Sequence, residues 1–300
     1  MKPRGTRIEK GMSKQSDRSV AADSGILEQR LDRLDGILRA AVSVCIGYSG
    51  GVDSAFVAAA AVRTLGEANV LAVTALSESY PDNQRRTAIE VAARFGVPHI
   101  ELRTDELNDP RYAANPTNRC YFCKTELWGR LVELARERGL ATVVDGSNAD
   151  DAADHRPGAR AAREHGVRSP LQEAGLTKQD IREASRALGL PTWDQPASPC
   201  LASRLPYGIA VTSGRLRQVE DAESLLRRLG FGEFRVRHHG DVARIEVAPA
   251  EIVRALSLAE TLAAGIRALG FDRVLLDIEG YRRGALNEAL VLVPAGARDA

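Results

Sequence analysis

The sequence predicts an α/β protein: a doubly wound parallel sheet followed by a smaller C-terminal α+β unit. Three observations carry this. Residues 41–48 (AVSVCIGY), 70–76 and 141–144 are short apolar runs without polar alternation, as strands buried on both faces require. Segments of helical period separate them, which is the order of a parallel sheet built from crossover units. Glycine stands just past several of those helices, at Gly66, Gly96 and Gly139, where a left-handed residue ends a helix.

In chain order, residues 1–25 mix Lys, Arg, Ser and Gly with no apolar segment and are expected to be a disordered tail, not a secretory signal. Ile26, Leu27, Leu31, Leu34, Ile37 and Leu38 recur at helical spacing. The first strand then runs into glycines, and the Ala-rich segment from Ser54 reads as a helix. Strands are expected at 70–76, 99–102 and 141–144, with helices at 82–95 and 124–138. A capping box (Thr177, Asp180) opens a helix at 178–188. Pro191, Pro196 and Pro199 mark a boundary, dividing a nucleotide domain (26–195) from a substrate domain (196–300). The second domain reads helix 213–229, strands 233–238 and 242–247, helix 249–269 and strand 273–278.

The 300 residues carry a net charge of +1 and are 44% hydrophobic. That balance argues against a dedicated nucleic-acid binder, and no apolar stretch is long enough for a membrane span. A cytoplasmic protein, expected to be a homo-oligomer, follows as the default. All but five of the 41 basic residues are Arg, so a lone Arg is weak evidence of anion binding, whereas Lys124 beside two cysteines is informative. There are four cysteines, Cys45, Cys120, Cys123 and Cys200, and a close pair in such a protein points to metal, cluster or redox chemistry. Cys45 falls inside the first strand and is expected to be buried and inert.

Ser49-Gly50-Gly51-Val52-Asp53-Ser54 lies between the first strand and its helix. Glycines let successive N–H groups turn onto phosphate oxygens, and the helix N-terminus adds partial positive charge. The loop lacks the Lys-Ser/Thr ending of a Walker A motif and the G-x-G-x-x-G spacing of a dinucleotide fold. It resembles the S-G-G-x-D-S motif of the PP-loop ATP pyrophosphatases. That resemblance implies cleavage of ATP to AMP and pyrophosphate, with Ser49, Gly50, Gly51 and Ser54 on pyrophosphate and Asp53 near Mg²⁺. Residues 145–151 (DGSNADD) are similar to the group's G-x-N-x-D-D segment, which implies nucleotide contacts for Gly146 and Asn148; the plain reading is a solvated acidic loop.

Cys120-Tyr121-Phe122-Cys123-Lys124 precedes the expected helix at 124–138. Thiols beside a helix N-terminus and a Lys are expected to have depressed pKa values, favouring ligation or nucleophilic attack. Cys200 sits in a proline-flanked loop (PCLASRLPYG). With R-S-P-L at 168–171 and D-I-E-G-Y-R at 277–282, these segments resemble the LarE-type ATP-dependent sulfur transferases over about residues 26–284. The resemblance implies adenylation of a carboxylate of a pyridinium biscarboxylate mononucleotide and its conversion to a thiocarboxylate, for a nickel-pincer cofactor. It implies that Cys120, Cys123 and Cys200 hold a [4Fe-4S] cluster that delivers sulfur, or alternatively that Cys200 gives up its own sulfur. Lys124 is assigned to the nucleotide site, and Arg204, Arg235, Arg237 and Arg282 to the anionic substrate. Other readings stay open: a Zn²⁺ site completed by His155 or His165, a tRNA thiolase or amide synthetase of the same group, and a nucleotide sensor. Glu223 is a weaker candidate contact. Adjacent His238 and His239 point to opposite strand faces and receive no ligand role, and Trp128 and Trp193 are expected to pack.

Overall fold

The computed structural model describes residues 12–153 and 157–282. Helix α1 (Met12–Ala41) leads into β1 (Val44–Gly47), α2 (Val52–Leu65), β2 (Val70–Leu76), α3 (Asp82–Arg94) and β3 (His99–Arg103). A short turn of helix, α4 (Pro110–Ala113), and the long α5 (Arg119–Glu137) precede β4 (Thr142–Val144). Three helices follow: α6 (Pro157–Glu164), α7 (Pro170–Ala174) and α8 (Lys178–Ala187). The strands pair in parallel in the order β3-β2-β1-β4. The chain therefore winds one way from β1 through β3 and the other way to β4. In such sheets ligands bind beyond the carboxyl ends of the strands, where the winding reverses.

Strands β1, β2 and β4 are largely buried on both faces, which explains why they are mostly apolar, whereas the edge strand β3 carries His99, Glu101 and Arg103 and is only partly buried. Val44 and Ile46 of β1 join Leu34, Leu38, Phe56, Leu171 and Ile181 on one side. Cys45 between them turns to the opposite core, with Val73, Trp128, Leu131 and Val143. Each large apolar side chain so buried contributes roughly 1.5–3 kcal/mol.

The second unit begins with α9 (Ser213–Arg228), then β5 (Phe234–His239), β6 (Val242–Val247), α10 (Ile252–Ser257), α11 (Ala259–Arg267) and β7 (Arg273–Leu276). Its three strands run β5-β6-β7, the first pair antiparallel and the second parallel. Its core contains Leu226, Phe234, Val236, Ile245, Leu262, Ile266 and Phe271. As expected of neighbours on a strand, His238 is buried and His239 exposed.

Three elements differ from expectation. Helix α1 begins at Met12, within the stretch expected to be a disordered tail; apolar periodicity is silent there, but Lys14, Gln15, Ala21 and Ala22 are good helix formers and Gly25 costs only about 1 kcal/mol. Helix α5 begins at Arg119, so Cys120 and Cys123 lie in its first turns and not ahead of it. The single helix expected at 249–269 is a 3₁₀ turn (Pro249–Glu251) and two helices that break at Leu258, where the Ser257 hydroxyl donates to the Arg254 carbonyl at 2.7 Å. No helix among the described residues is long and apolar enough to cross a membrane.

A fourth apolar cluster joins the two units. Tyr112, Leu201, Ala202, Leu205, Leu216 and Val219 pack together, with Cys123 and Cys200 against them.

Candidate active site

The glycine loop sits at the carboxyl end of β1, next to the point where the winding reverses. Gly50 has φ +66°, the left-handed region, and a Cβ there would lie 2.6 Å from the Ala88 Cβ. Only glycine fits both the turn and the approach of α3. Gly51 is the N-cap of α2 and supplies no side-chain cap, which leaves first-turn N–H groups open to an anion. The Ser54 hydroxyl holds the loop closed, donating to the Gly51 carbonyl at 3.2 Å and accepting from the Ser49 N–H at 3.2 Å. Gly146, after β4, packs so closely that a Cβ would meet the Ser54 nitrogen at 2.9 Å.

Asp53 faces the second loop. Its Oδ1 accepts from Asn148 Nδ2 at 3.4 Å, and its Oδ2 accepts from Lys178 Nζ at 2.6 Å. Asn148 is itself fixed: its Oδ1 accepts from the Asp150 N–H at 3.0 Å, and its own N–H donates to Asp151 Oδ2 at 3.1 Å. Lys178 was absent from the sequence-derived site. It follows Thr177 directly in the capping box, which the structure contains with both hydrogen bonds made. In a chain with so few lysines, one placed at a helix N-terminus was the available signal.

The loop after β2 connects the glycine loop to the Cys200 segment. The Tyr80 hydroxyl donates to the Ser49 carbonyl at 2.9 Å, and the Leu201 N–H donates to the Ser79 carbonyl at 2.7 Å. The residue after Cys200 is thus one short loop away from the glycine cradle. Arg204 shapes the cysteine's own segment. Its Nη1 donates to the Pro199 and Cys200 carbonyls at 2.6 and 3.0 Å, while Glu223 accepts from Nε and Nη2 at 2.8 Å each.

Cys120 is exposed, while Cys123 and Cys200 are partly buried. The expected depression of the first two thiols is not found. Both lie above the ordinary cysteine range, chiefly because surrounding protein replaces water, which favours the neutral thiol. The Arg119 and Lys124 charges pull Cys120 down, and the buried Glu106 carboxylate pushes Cys123 further up. Charge on Cys200 is felt by both, so the three thiols share one electrostatic neighbourhood. Three soft thiols are a suitable donor set for iron–sulfur ligation. Among the described residues, no group of three or more His, Cys, Asp or Glu already stands in a metal-holding arrangement. His155 lies outside the described residues, and His165 lies beside Gly129 of α5.

The remaining candidates separate by environment. Arg237 is buried against Glu246, its Nη2 2.8 Å from Oε2. Arg235, two residues earlier on β5, donates among the described residues to two carbonyls, Phe234 at 2.6 Å and Ala197 at 2.7 Å, and lies 4.9 Å from the Tyr281 ring centroid. Arg282 is half exposed and pairs with Glu279 at 2.8 Å. Lys124 points along its own helix, its Nζ 5.1 Å from the Trp128 ring centroid. Cys45 is fully buried and its thiol is pushed up to about 12 by burial. Trp128 packs in the second core, and Trp193 carries Arg186 over its ring at 5.1 Å.

The NAD synthase family matches residues 28–116, which hold the glycine loop and the first three strands. An uncharacterized protein of Synechocystis sp. is 45% identical over 268 residues, covering 88% of this chain and 99% of its own length. The pyridinium-3,5-bisthiocarboxylic acid mononucleotide synthase of Lactiplantibacillus plantarum is 39% identical over 247 residues, 82% of this chain and 90% of its own. A tRNA-specific 2-thiouridylase, MnmA, of Chlorobium luteolum is 29% identical over 216 residues, 61% of this chain and 59% of its own. By its relationship to the Lactiplantibacillus plantarum synthase and the motifs described above, this chain belongs to the LarE-type family of pyridinium-3,5-bisthiocarboxylic acid mononucleotide synthases.

Proposed function

We propose that this protein uses ATP to adenylate a carboxylate of a pyridinium-3,5-biscarboxylic acid mononucleotide and then replaces the activated oxygen with sulfur. The observation that carries the reading is the loop after β2. Tyr80 holds it to the phosphate cradle and Ser79 holds it to the residue following Cys200. This link between the glycine loop and the Cys200 segment supports a reading in which activation and sulfur delivery act at one carbon.

In the first step the substrate carboxylate oxygen attacks the α-phosphorus of ATP, and the bond to pyrophosphate breaks. The open N–H groups of the α2 N-terminus would hold the departing charge, with Mg²⁺ held by Asp53 and Lys178 moving onto phosphate oxygen. The second step is attack of anionic sulfur on the acyl carbon with AMP leaving. A [4Fe-4S] cluster held by Cys120, Cys123 and Cys200 would supply that sulfur when bound. Arg204 and Glu223 shape the Cys200 segment, whereas Arg235, which among the described residues meets carbonyls and an aromatic ring, is the arginine best placed to receive a substrate carboxylate or phosphate. Hydrosulfide transfer to a small nucleotide, not a tRNA, fits the near-neutral charge.

The test is anaerobic incubation of the full chain with ATP, Mg²⁺, the biscarboxylate nucleotide and sulfide. Stoichiometric pyrophosphate and AMP with a thiocarboxylate product, from protein that holds iron and acid-labile sulfide, are expected. Absence of pyrophosphate sinks the reading. Product without iron, accompanied by loss of one H₂S from the polypeptide, would replace the cluster with sacrifice of Cys200.

A further inference from the structure

Arg119, the first residue of α5, is only 3% exposed, and none of the described Asp or Glu residues forms an ion pair with it. A buried charge without a counter-charge is among the most unfavourable arrangements in a protein interior. Other buried arginines here follow the usual solution, Arg204 with Glu223 and Arg237 with Glu246. Arg119 has neutral partners. Its Nη1 donates to Asn115 Oδ1, its guanidinium lies 5.4 Å from the Tyr207 ring centroid, and its Nε is buried with no acceptor. A guanidinium does not lose its proton in a protein, so the charge persists with no anion among the described residues to meet it.

The position of this cation is over-determined. Asn115 is fully buried with φ +55°, and its Nδ2 donates to the Pro206 and Ile209 carbonyls at 2.8 Å each. The Gly208 N–H returns a bond to the Asn115 carbonyl at 2.9 Å, and the Val211 N–H donates to the Ala113 carbonyl at 2.8 Å. The asparagine that clamps the segment following Cys200 onto the start of α5 is therefore the one that orients Arg119. Cys120 is the next residue, within reach of the guanidinium's field.

We infer that Arg119 is the counter-cation of the sulfur site, its free Nε donating to anionic sulfur held at Cys120, Cys123 and Cys200. The ligand chemistry is an anionic sulfur group, supplied either as hydrosulfide or as a thiolate-ligated iron–sulfur group of net negative charge. The identity of the ligand rests on the function proposed above; the unpaired buried charge does not.

The test compares full-length wild type with Arg119→Met, which keeps the apolar stem, and Arg119→Lys, which keeps the charge. Metal-free Arg119→Met is expected to melt at the wild-type temperature or above, because it sheds an uncompensated buried charge; loss of a merely structural arginine would lower it. If hydrosulfide is the ligand, sodium hydrosulfide added anaerobically raises the melting temperature of wild type and Arg119→Lys but not of Arg119→Met. If the iron–sulfur group is the ligand, hydrosulfide has no effect. Reconstituted Arg119→Met then keeps several-fold less iron through gel filtration and has a lower midpoint potential, since removing positive charge disfavours an added electron. The inference is overturned if metal-free Arg119→Met melts well below wild type, or if neither hydrosulfide nor iron distinguishes the two. Failure of the wild type to release pyrophosphate would instead overturn the proposed function, and leaves these readouts in place.

Discussion

Lys178 Nζ lies 2.6 Å from Asp53 Oδ2, so the acidic side chain of the glycine loop is held by a cation from the start of α8. The pair joins α2, the helix that follows the glycine loop, to α8 across the carboxyl edge of the parallel sheet. Both side chains are partly open to solvent, so the pair itself adds little to stability. Its consequence under the proposed function is chemical: a metal ion taking Asp53 would free Lys178 for the phosphates. Lys178→Ala is expected to lower kcat/KM for pyrophosphate release roughly 10²-fold with a small change in melting temperature. An unchanged rate would remove Lys178 from the reaction.

Two glycines are expected to be intolerant for different reasons. Gly50→Ala meets both a left-handed backbone and a 2.6 Å contact with Ala88, whereas Gly146→Ala meets the backbone of Ser54 at 2.9 Å and of Asp53 at 3.2 Å. Each substitution forces a backbone shift costing about 1–3 kcal/mol, centred on the phosphate cradle. ATP affinity by calorimetry should fall for both, and denaturant midpoints should fall more for Gly50→Ala.

The Arg204–Glu223 pair is almost entirely buried. Truncating one partner strands the other, at a cost of about 3–5 kcal/mol. Arg204→Ala or Glu223→Ala alone should therefore unfold well below the wild-type denaturant concentration. Arg204→Met with Glu223→Leu should recover much of that loss without recovering activity, because the carbonyls of Pro199 and Cys200 lose their donor. Recovery of activity in the double variant would show that Arg204 does not shape the cysteine segment.

His99 and His238 are held below the ordinary histidine value of 6.5, in both cases first because burial disfavours the charged ring. Above that value both rings are neutral in the folded and unfolded chain, and the pair adds no pH dependence. As pH falls through 6.5 the unfolded chain takes up protons first, which draws the equilibrium toward unfolding. Melting temperature should decline between about pH 6.5 and 5, less steeply in His238→Gln. A flat profile over that window would contradict the burial seen here.

Native thiol labelling should separate the four cysteines. Cys120 is exposed, while Cys45 is fully buried with a thiol pushed up to about 12. Near neutral pH, mass spectrometry should find Cys120 alkylated and Cys45 untouched until denaturant is added. Cys45→Ala should leave pyrophosphate release unchanged.

Much of the architecture was readable from local pattern. Strands 70–76 and 242–247 match their expected bounds, and the Thr177–Asp180 capping box forms as its spacing implies. These are features in which the deciding contacts lie within a few residues. The early start of α5 was not readable, because Arg119 and Cys120 carry no apolar periodicity and the helix is held there by packing against the Cys200 segment. Nor were the thiol pKa values, whose direction was expected from the helix terminus and Lys124 but is set first by burial, then by Cys200 at Cys120 and by Glu106 at Cys123.

The order of residues alone determined that a glycine cradle follows a buried strand, that three cysteines stand in two shaped segments, and that a parallel sheet places loops at one edge. Those are consequences of short-range sterics and of periodicity, which act along the chain. Only the tertiary structure decided which charges meet: Lys178 on Asp53, Glu223 on Arg204, and, among the described residues, no carboxylate on Arg119. Electrostatics acts through space and depends on burial, so residues far apart in sequence become partners only when the fold excludes water between them.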